Sequence, residues 1–248
     1  MNDKYLIVIA GPTASGKTAT AITIAKALRT VIISADSRQF YREIPIGTAA
    51  PTREELSEVE HFMIHNLSIE DRYDVADYEK DVLLLLKKLF LNHDAVVMTG
   101  GSGLFIDAVC NGLDSIPDIS DETRNRVNDL YEKGGVVALQ NELQHLDPEY
   151  YEIVDKHNPR RLQRAIEVCY QTGLPYSSFR KNNTKERDFK IIKLALLWER
   201  SELIMRINKR VDIMVNEGLV EEAKAMYPKR HLNSLNTVGY KEIFEHFD

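Results

Sequence analysis

Residues 11–18 read Gly11-Pro12-Thr13-Ala14-Ser15-Gly16-Lys17-Thr18, a GxxxxGKT run. An apolar stretch rich in Ile and Val, Tyr5–Ala10, leads into it, and Lys17–Arg29 follows with Ala and Ile at helical spacing. Strand, glycine turn, helix is the context in which this pattern folds into a phosphate loop. The glycines let the backbone curl until successive N–H groups converge on a phosphate. The helix N-terminus adds positive potential. Lys17 neutralises phosphate charge, and the Thr18 hydroxyl is the candidate ligand of a Mg²⁺ ion. All eight residues, Gly11 through Thr18, are therefore candidate ligands of a diphosphate or triphosphate.

Working outward, Val31–Ser34 reads as a second buried strand, Ala95–Thr99 and Phe189–Trp198 as further strands, and Val75–Asn92 as a helix with Asp74 as its N-cap. Strands alternating with helices predict an α/β fold, a P-loop NTPase-like parallel sheet flanked by helices. The pattern changes at Gly112. Asp121–Lys133, Val136–Leu146 and Pro159–Thr172 read as helices with no strand between them, an all-helical insertion. The expected division is a catalytic core of residues 1–112 and 189–248, with an insertion of residues 113–188. The insertion ends in a charged loop, Lys181–Asp188. Ser201–Glu217 reads as a helix with Gly218 at its C-terminal cap.

A nucleotide hydrolase or kinase usually carries an apolar strand ending in a carboxylate that supports Mg²⁺. Here Ala95–Thr99 runs into Gly100-Gly101 with no acid, whereas Val31–Ser34 runs into Ala35-Asp36-Ser37. Asp36 is thus the one acid at the carboxyl ends of the first strands, where open α/β sheets place their ligands. It is a candidate magnesium supporter or general base.

The 248 residues carry a net charge of −6. The charge is uneven: Lys156–Lys193 holds ten basic and three acidic residues, a local +7, leaving −13 elsewhere. An acidic body with one basic segment fits a polyanionic partner. Apolar runs fall well short of the ~20 residues of a membrane span, so no membrane association is expected. The N-terminus lacks the pattern of a secretory leader. Two cysteines, Cys110 and Cys169, cannot form a disulfide framework or a zinc site, and both read as buried core thiols in a cytoplasmic protein. Trp198, closing an apolar strand, reads as core; Phe40 and Tyr41 read as core or as platforms for a base.

GPTASGKT, then DSRQFYREIPIGTAAP at Asp36–Pro51, GGSGLF at Gly100–Phe105, NPRRLQRAIEV at Asn158–Val168 and VGYKEI at Val238–Ile243 together resemble the tRNA dimethylallyltransferases, also called tRNA isopentenyltransferases. The motifs stand in family order across nearly the whole chain. The resemblance implies transfer of a dimethylallyl group from dimethylallyl diphosphate to the exocyclic amine of the adenosine 3′ of the anticodon, with Mg²⁺ as cofactor and the tRNA anticodon stem-loop as partner of a monomeric enzyme. It places Asp36 as the base, and Lys17, Thr13 and Arg210 on the diphosphate. It assigns tRNA contacts to Asp36, Ser37, Arg38, Gln39, Arg124, Arg160, Arg161, Leu162, Gln163 and Arg164, and to Ser102, which stands where most members have threonine. Members continue past VGYKEI with a basic, aromatic segment, whereas this chain ends at Asp248.

Three rival readings remain from the residues. Adenylate isopentenyltransferases prenylate free AMP and resemble this family. The helical insertion and the NPRRLQR turn favour tRNA over that substrate. A nucleotide kinase is disfavoured by the missing strand-end acid. A nucleotide-switched RNA-binding protein has no use for the Asp36 block.

Overall fold

The computed structural model describes residues 3–180 and 184–248. The first part of the expected Lys181–Asp188 loop, residues 181–183, lies outside the described residues. Contacts divide the chain into two units, residues 1–111 with 186–248 and residues 112–185. The second boundary falls a few residues before the expected 188, for a physical reason. Arg187 is tied into the first unit, with Nη2 2.7 Å from Glu79 and from the Ala108 carbonyl, and Nε 2.9 Å from the Val109 carbonyl.

The first unit is a five-stranded, wholly parallel sheet. Its strands are β1 (Tyr5–Ala10), β2 (Ile32–Ser34), β3 (His61–Phe62), β4 (Ala95–Thr99) and β5 (Lys190–Ala195), in the spatial order β3-β2-β4-β1-β5. The continuous apolar runs of β1, β2 and β4 follow from burial on both faces, whereas β5, at the sheet edge, leaves Ile192 and Leu194 exposed. Leu6, Val8, Ile33, Val96 and Met98 pack against Tyr78, Val82 and Leu86 of α3 (Val75–Leu89), and against Ile106 and Val109 of α4 (Gly103–Asn111). Ile9, Ile32 and Val97 point the other way, onto Ala21, Ile22 and Ala25 of α1 (Lys17–Leu28). Asp74 caps α3 through the Ala76 and Asp77 N–H groups, and Asp77 reaches back to the Asp74 N–H. The short α2 (Arg53–Glu58) starts with the same reciprocal device between Thr52 and Glu55. β3 has no counterpart in the sequence pattern, because two residues are too short to show a period.

The second unit is helical. Its longest element, α5 (Asp121–Leu146), breaks at Gly135, whose φ of 61° is non-helical, so the two helices read from the sequence meet at that glycine. α6 (Pro148–Ile153) and α7 (Pro159–Thr172) follow. Val127, Leu139, Leu143, Leu162, Ala165 and Ile166 form their common core. Asn158 caps α7, Pro159 opens it, and Gly173 closes it at φ 70°. Buried Asp147 accepts from the Tyr150 N–H at 3.0 Å and the Ser177 N–H at 2.6 Å, joining α6 to the turn after α7.

The chain returns to the first unit through β5, then α8 (Arg200–Asn216), α9 (Leu219–Met226) and α10 (Tyr240–Phe247). Among the described residues no helix is long and apolar enough to cross a membrane. Cys110 and Cys169 are buried free thiols.

Candidate active site

The sheet order places the carboxyl ends of β2, β4 and β1 side by side. The loops leaving them bring Thr13–Ala19, Asp36, Gln39 and Thr99–Gly101 onto one pocket of about 440 Å³. Ala49 and Glu55, together with Arg206, Lys209, Arg210 and Ile213 of α8, complete its lining.

The phosphate loop has the backbone its sequence calls for. Gly16 sits at φ 89° and Ala14, unusually for a non-glycine, at φ 62°. Gly11 leaves room where a Cβ would fall 2.8 Å from the Ser15 hydroxyl. That hydroxyl is buried with no hydrogen-bond partner among the described residues. Lys17 and Thr18 open α1, whose first N–H groups have no partner within the helix. Lys17 Nζ donates to the Gly11 and Pro12 carbonyls at 3.0 and 2.8 Å. Burial pulls the Lys17 pKa below the usual lysine range, opposed by Asp36 and assisted by Arg210. Arg210 is lowered in the same way by burial, against the pull of Asp36. Lys17, Arg206, Lys209 and Arg210 outnumber the Asp36 and Glu55 carboxylates around the pocket, and two of these cations are partly desolvated, a setting that suits a multiply charged anion.

Asp36 is held by a turn: its Oδ1 accepts from the Arg38 N–H at 3.0 Å. Next to it, the β4 loop crosses so closely that a Cβ on Gly100 would lie 2.2 Å from the Ala35 carbonyl carbon, and one on Gly101 3.2 Å from Asp36 Oδ2. At Gly100 a Cβ would overlap fixed backbone, so glycine is required there, while at Gly101 a Cβ would press on the Asp36 carboxylate. Ser102 Oγ accepts from the Ser37 N–H at 2.9 Å and bonds the Ser37 hydroxyl at 3.1 Å, so this hydroxyl pins the Asp36 turn to the β4 loop. Thr18 and Asp36, both lining this pocket, are hard oxygen donors of the kind that fit Mg²⁺, which characteristically completes its shell with water and substrate phosphate oxygens. Among the described residues no group of three or more His, Cys, Asp or Glu side chains gathers to hold a metal without such help.

Other residues singled out in the sequence take different places. The Arg38 guanidinium bonds the Asn233, Ser234 and Asn236 carbonyls, strapping down the segment before α10. Gln39 lines the pocket, yet its amide is spent on Ser34 Oγ and the Thr48 and Ala49 carbonyls. In the helical unit Arg160, Arg161 and Arg164 are exposed along α7, while Leu162 is fully buried. Leu162 therefore anchors the helix and cannot reach RNA. Gln163 donates to Asn128 Oδ1 at 3.1 Å. Arg164 stands 3.6 Å from Glu167, and Arg124 acts on the same carboxylate. Phe40 and Tyr41 are core. Trp198 is not: it is 40% exposed, lies beyond the end of β5, and donates from Nε1 to the Ser15 carbonyl at 2.9 Å.

Sequence reasoning points to Arg210 of α8 and misses Arg206 and Lys209. The signal is there, since residues 206, 209, 210 and 213 follow the i, i+3, i+4, i+7 spacing of one helix face.

The sheet, the loop and the strand-end carboxylate define a phosphate-loop protein without the usual nucleotide-hydrolase acid. The family model described as IPP transferase matches residues 39–248. A tRNA dimethylallyltransferase 1 of Phocaeicola vulgatus is 54% identical over 243 residues, covering 98% of this chain and 81% of that protein. Its counterpart in Bacteroides fragilis is 51% identical over 248 residues, 100% of this chain and 82% of that one. The solved tRNA isopentenylpyrophosphate transferase of Bacillus halodurans superposes with a TM-score of 0.65 at 33% identity, covering 99% of this chain and 78% of that chain. A eukaryotic dimethylallyltransferase acting on tRNA matches with a TM-score of 0.79 at 23% identity, over 98% of this chain and 63% of that one, a likeness of fold. The chain belongs to the IPP transferase family, among the tRNA dimethylallyltransferases.

Proposed function

We propose that this protein transfers the dimethylallyl group of dimethylallyl diphosphate to the exocyclic amine of the adenosine 3′ of the tRNA anticodon, releasing diphosphate. The observation that carries the reading is the sharing of one pocket by the phosphate loop, Arg210 and the strand-end carboxylate, Asp36. The chain's relatives carry the name of this reaction.

The adenine amine is a poor nucleophile because its lone pair is delocalised into the ring. Asp36 takes its proton as the new C–N bond forms and the C–O bond to diphosphate breaks. The leaving diphosphate gains charge in the transition state. The N–H groups at the start of α1, Thr13, Lys17 and Arg210 meet that charge in a partly desolvated site, where such interactions are worth more than in water. Thr18, with Asp36 on the same pocket, would hold Mg²⁺, which would supply further charge neutralisation. Arg124, Arg160, Arg161 and Arg164 give the helical unit an exposed cationic surface for the phosphates of the anticodon stem-loop. An adenosine in a single-stranded loop costs least to extrude toward a base. The protein acts as a cytoplasmic monomer.

The test offers dimethylallyl diphosphate with either an anticodon stem-loop or AMP. Prenylated stem-loop and untouched AMP are expected. Lys17→Ala lowers the rate by about 10²–10³ through weaker leaving-group stabilisation. Prenylation of AMP in preference to RNA, or normal turnover by Lys17→Ala, overturns the assignment.

A further inference from the structure

We propose that Trp198 and Arg206 form a brace on the phosphate loop that fixes the Ala14 and Ser15 carbonyls, making Trp198, which does not line the anion pocket, a positioning residue for diphosphate binding. The inference rests on the reading of the loop as the diphosphate site.

Two consecutive peptides of the loop are held from one neighbouring segment. Arg206 Nε donates to the Ala14 carbonyl at 2.7 Å, and Trp198 Nε1 donates to the Ser15 carbonyl at 2.9 Å. The two donors are themselves joined, with the Arg206 guanidinium stacked 4.2 Å from the centroid of the Trp198 ring. Trp198 lies just before α8 and Arg206 within it, so both donors are anchored by that helix rather than by the loop they hold.

The loop needs such support. An anion site of backbone N–H groups works when the carbonyls point outward, and each outward carbonyl must find a donor or water. Ala14 is in the left-handed region at φ 62°, a conformation that an alanine adopts only when its surroundings impose it. The Ser15 side chain does not lock the loop, for its hydroxyl has no partner among the described residues. The hydrogen bond of the Ser15 N–H to the Pro12 carbonyl is long, at 3.3 Å. Fixing Ala14 and Ser15 from outside orients the next three N–H groups, those of Gly16, Lys17 and Thr18, before any ligand arrives. Preorganisation of this kind lowers the ordering cost of binding. Trp198 serves the loop, while Arg206 both serves it and lines the pocket. Trp198 has a half-open ring whose indole N–H is used there, and among the described residues no carboxylate pairs with Arg206 to compete.

The test measures binding of inorganic pyrophosphate with Mg²⁺ by calorimetry, and steady-state kinetics with the anticodon stem-loop, for the wild type, Trp198→Phe and Arg206→Lys. Phe keeps an aromatic ring under the guanidinium and removes only the indole donor. Loss of one such hydrogen bond corresponds to about 3- to 10-fold. Trp198→Phe is therefore expected to weaken pyrophosphate binding and to raise the KM for dimethylallyl diphosphate by that factor. The kcat should change less, and the KM for RNA and the thermal midpoint should not move. Arg206→Lys keeps the charge, loses the planar stack, and is expected to weaken pyrophosphate in the same direction. Wild-type pyrophosphate affinity in Trp198→Phe overturns the proposal, and if that variant does not fold, wild-type affinity in Arg206→Lys does so. A wild-type protein that fails to bind pyrophosphate at all overturns the reading of the loop instead.

Discussion

Asp36 answers to two demands. Its Oδ1 shapes the turn by accepting the Arg38 N–H at 3.0 Å, and its Oδ2 lies beside Gly101 at the pocket wall. A substitution that separates the demands is Asp36→Asn, whose amide oxygen can still accept from Arg38. The variant should fold and bind pyrophosphate as the wild type does, yet transfer the prenyl group about 10²–10⁴-fold more slowly for want of a base. Single-turnover rates at saturating dimethylallyl diphosphate decide it. If pyrophosphate binding fails while the bound fraction transfers normally, Asp36 supports the metal and is not the base. Ser102 acts one step away. Its hydroxyl holds the Ser37 N–H, a role within the protein that calls for a hydroxyl at this place.

At the scale of elements, the helix faces divide the work. α8 buries none of its residues fully, yet turns Arg206, Lys209 and Arg210 onto the phosphate loop. α7 buries Leu162, Ala165 and Ile166 and leaves Arg160, Arg161 and Arg164 outside. The double change Arg160→Ala and Arg164→Ala should therefore spare the helix core and weaken RNA binding. The slope of log affinity against log salt should become shallower by about 0.7–0.9 for each phosphate that is no longer neutralised. Pyrophosphate affinity should stay put, and an unchanged salt slope in the folded variant would make this face plain solvated surface. These strands and faces are legible in the sequence because periodicity and capping are local: Asp74, Asn158 and Gly173 do at the helix ends what their residue types promise. Long-range partnerships are not. The IGTAAP and VGYKEI segments read as two separate motifs, but a Cβ on Gly47 would fall 2.3 Å from the Tyr240 hydroxyl. Glu222 joins them, accepting from the Tyr240 hydroxyl and from the Ile46 and Gly47 N–H groups, the latter two at 3.0 and 2.9 Å. No spacing within either motif encodes that node. The brace on the loop escapes for the same reason, since an apolar run ending in Trp198 looks like core until the strand is seen to stop at Ala195.

The molecule as a whole consists of two units, each with its own core, and the insertion begins and ends at one spot. A Cβ on Gly112 would lie 3.0 Å from that of Lys185, so the two ends of the 112–185 unit are neighbours. A short closure between them costs little chain entropy. The return segment is held independently, because Arg187 pairs with buried Glu79 at 2.7 Å inside the first unit. The phosphate pocket is lined wholly by first-unit residues. Replacing residues 113–184 by a few Gly and Ser residues should therefore leave a cooperatively folding sheet unit that binds pyrophosphate with unchanged affinity. The same protein should lose binding of the anticodon stem-loop, since Arg124, Arg160, Arg161 and Arg164 go together. The excised 112–185 helices, with a buried core of their own, are expected to show helical circular dichroism and salt-sensitive binding of the stem-loop. Calorimetry with pyrophosphate and filter binding with RNA read the two halves separately. Stem-loop affinity retained by the trimmed sheet unit would move RNA recognition out of the insertion. Pyrophosphate binding abolished in a trimmed unit that still melts cooperatively would mean that the pocket depends on the helices it does not contain.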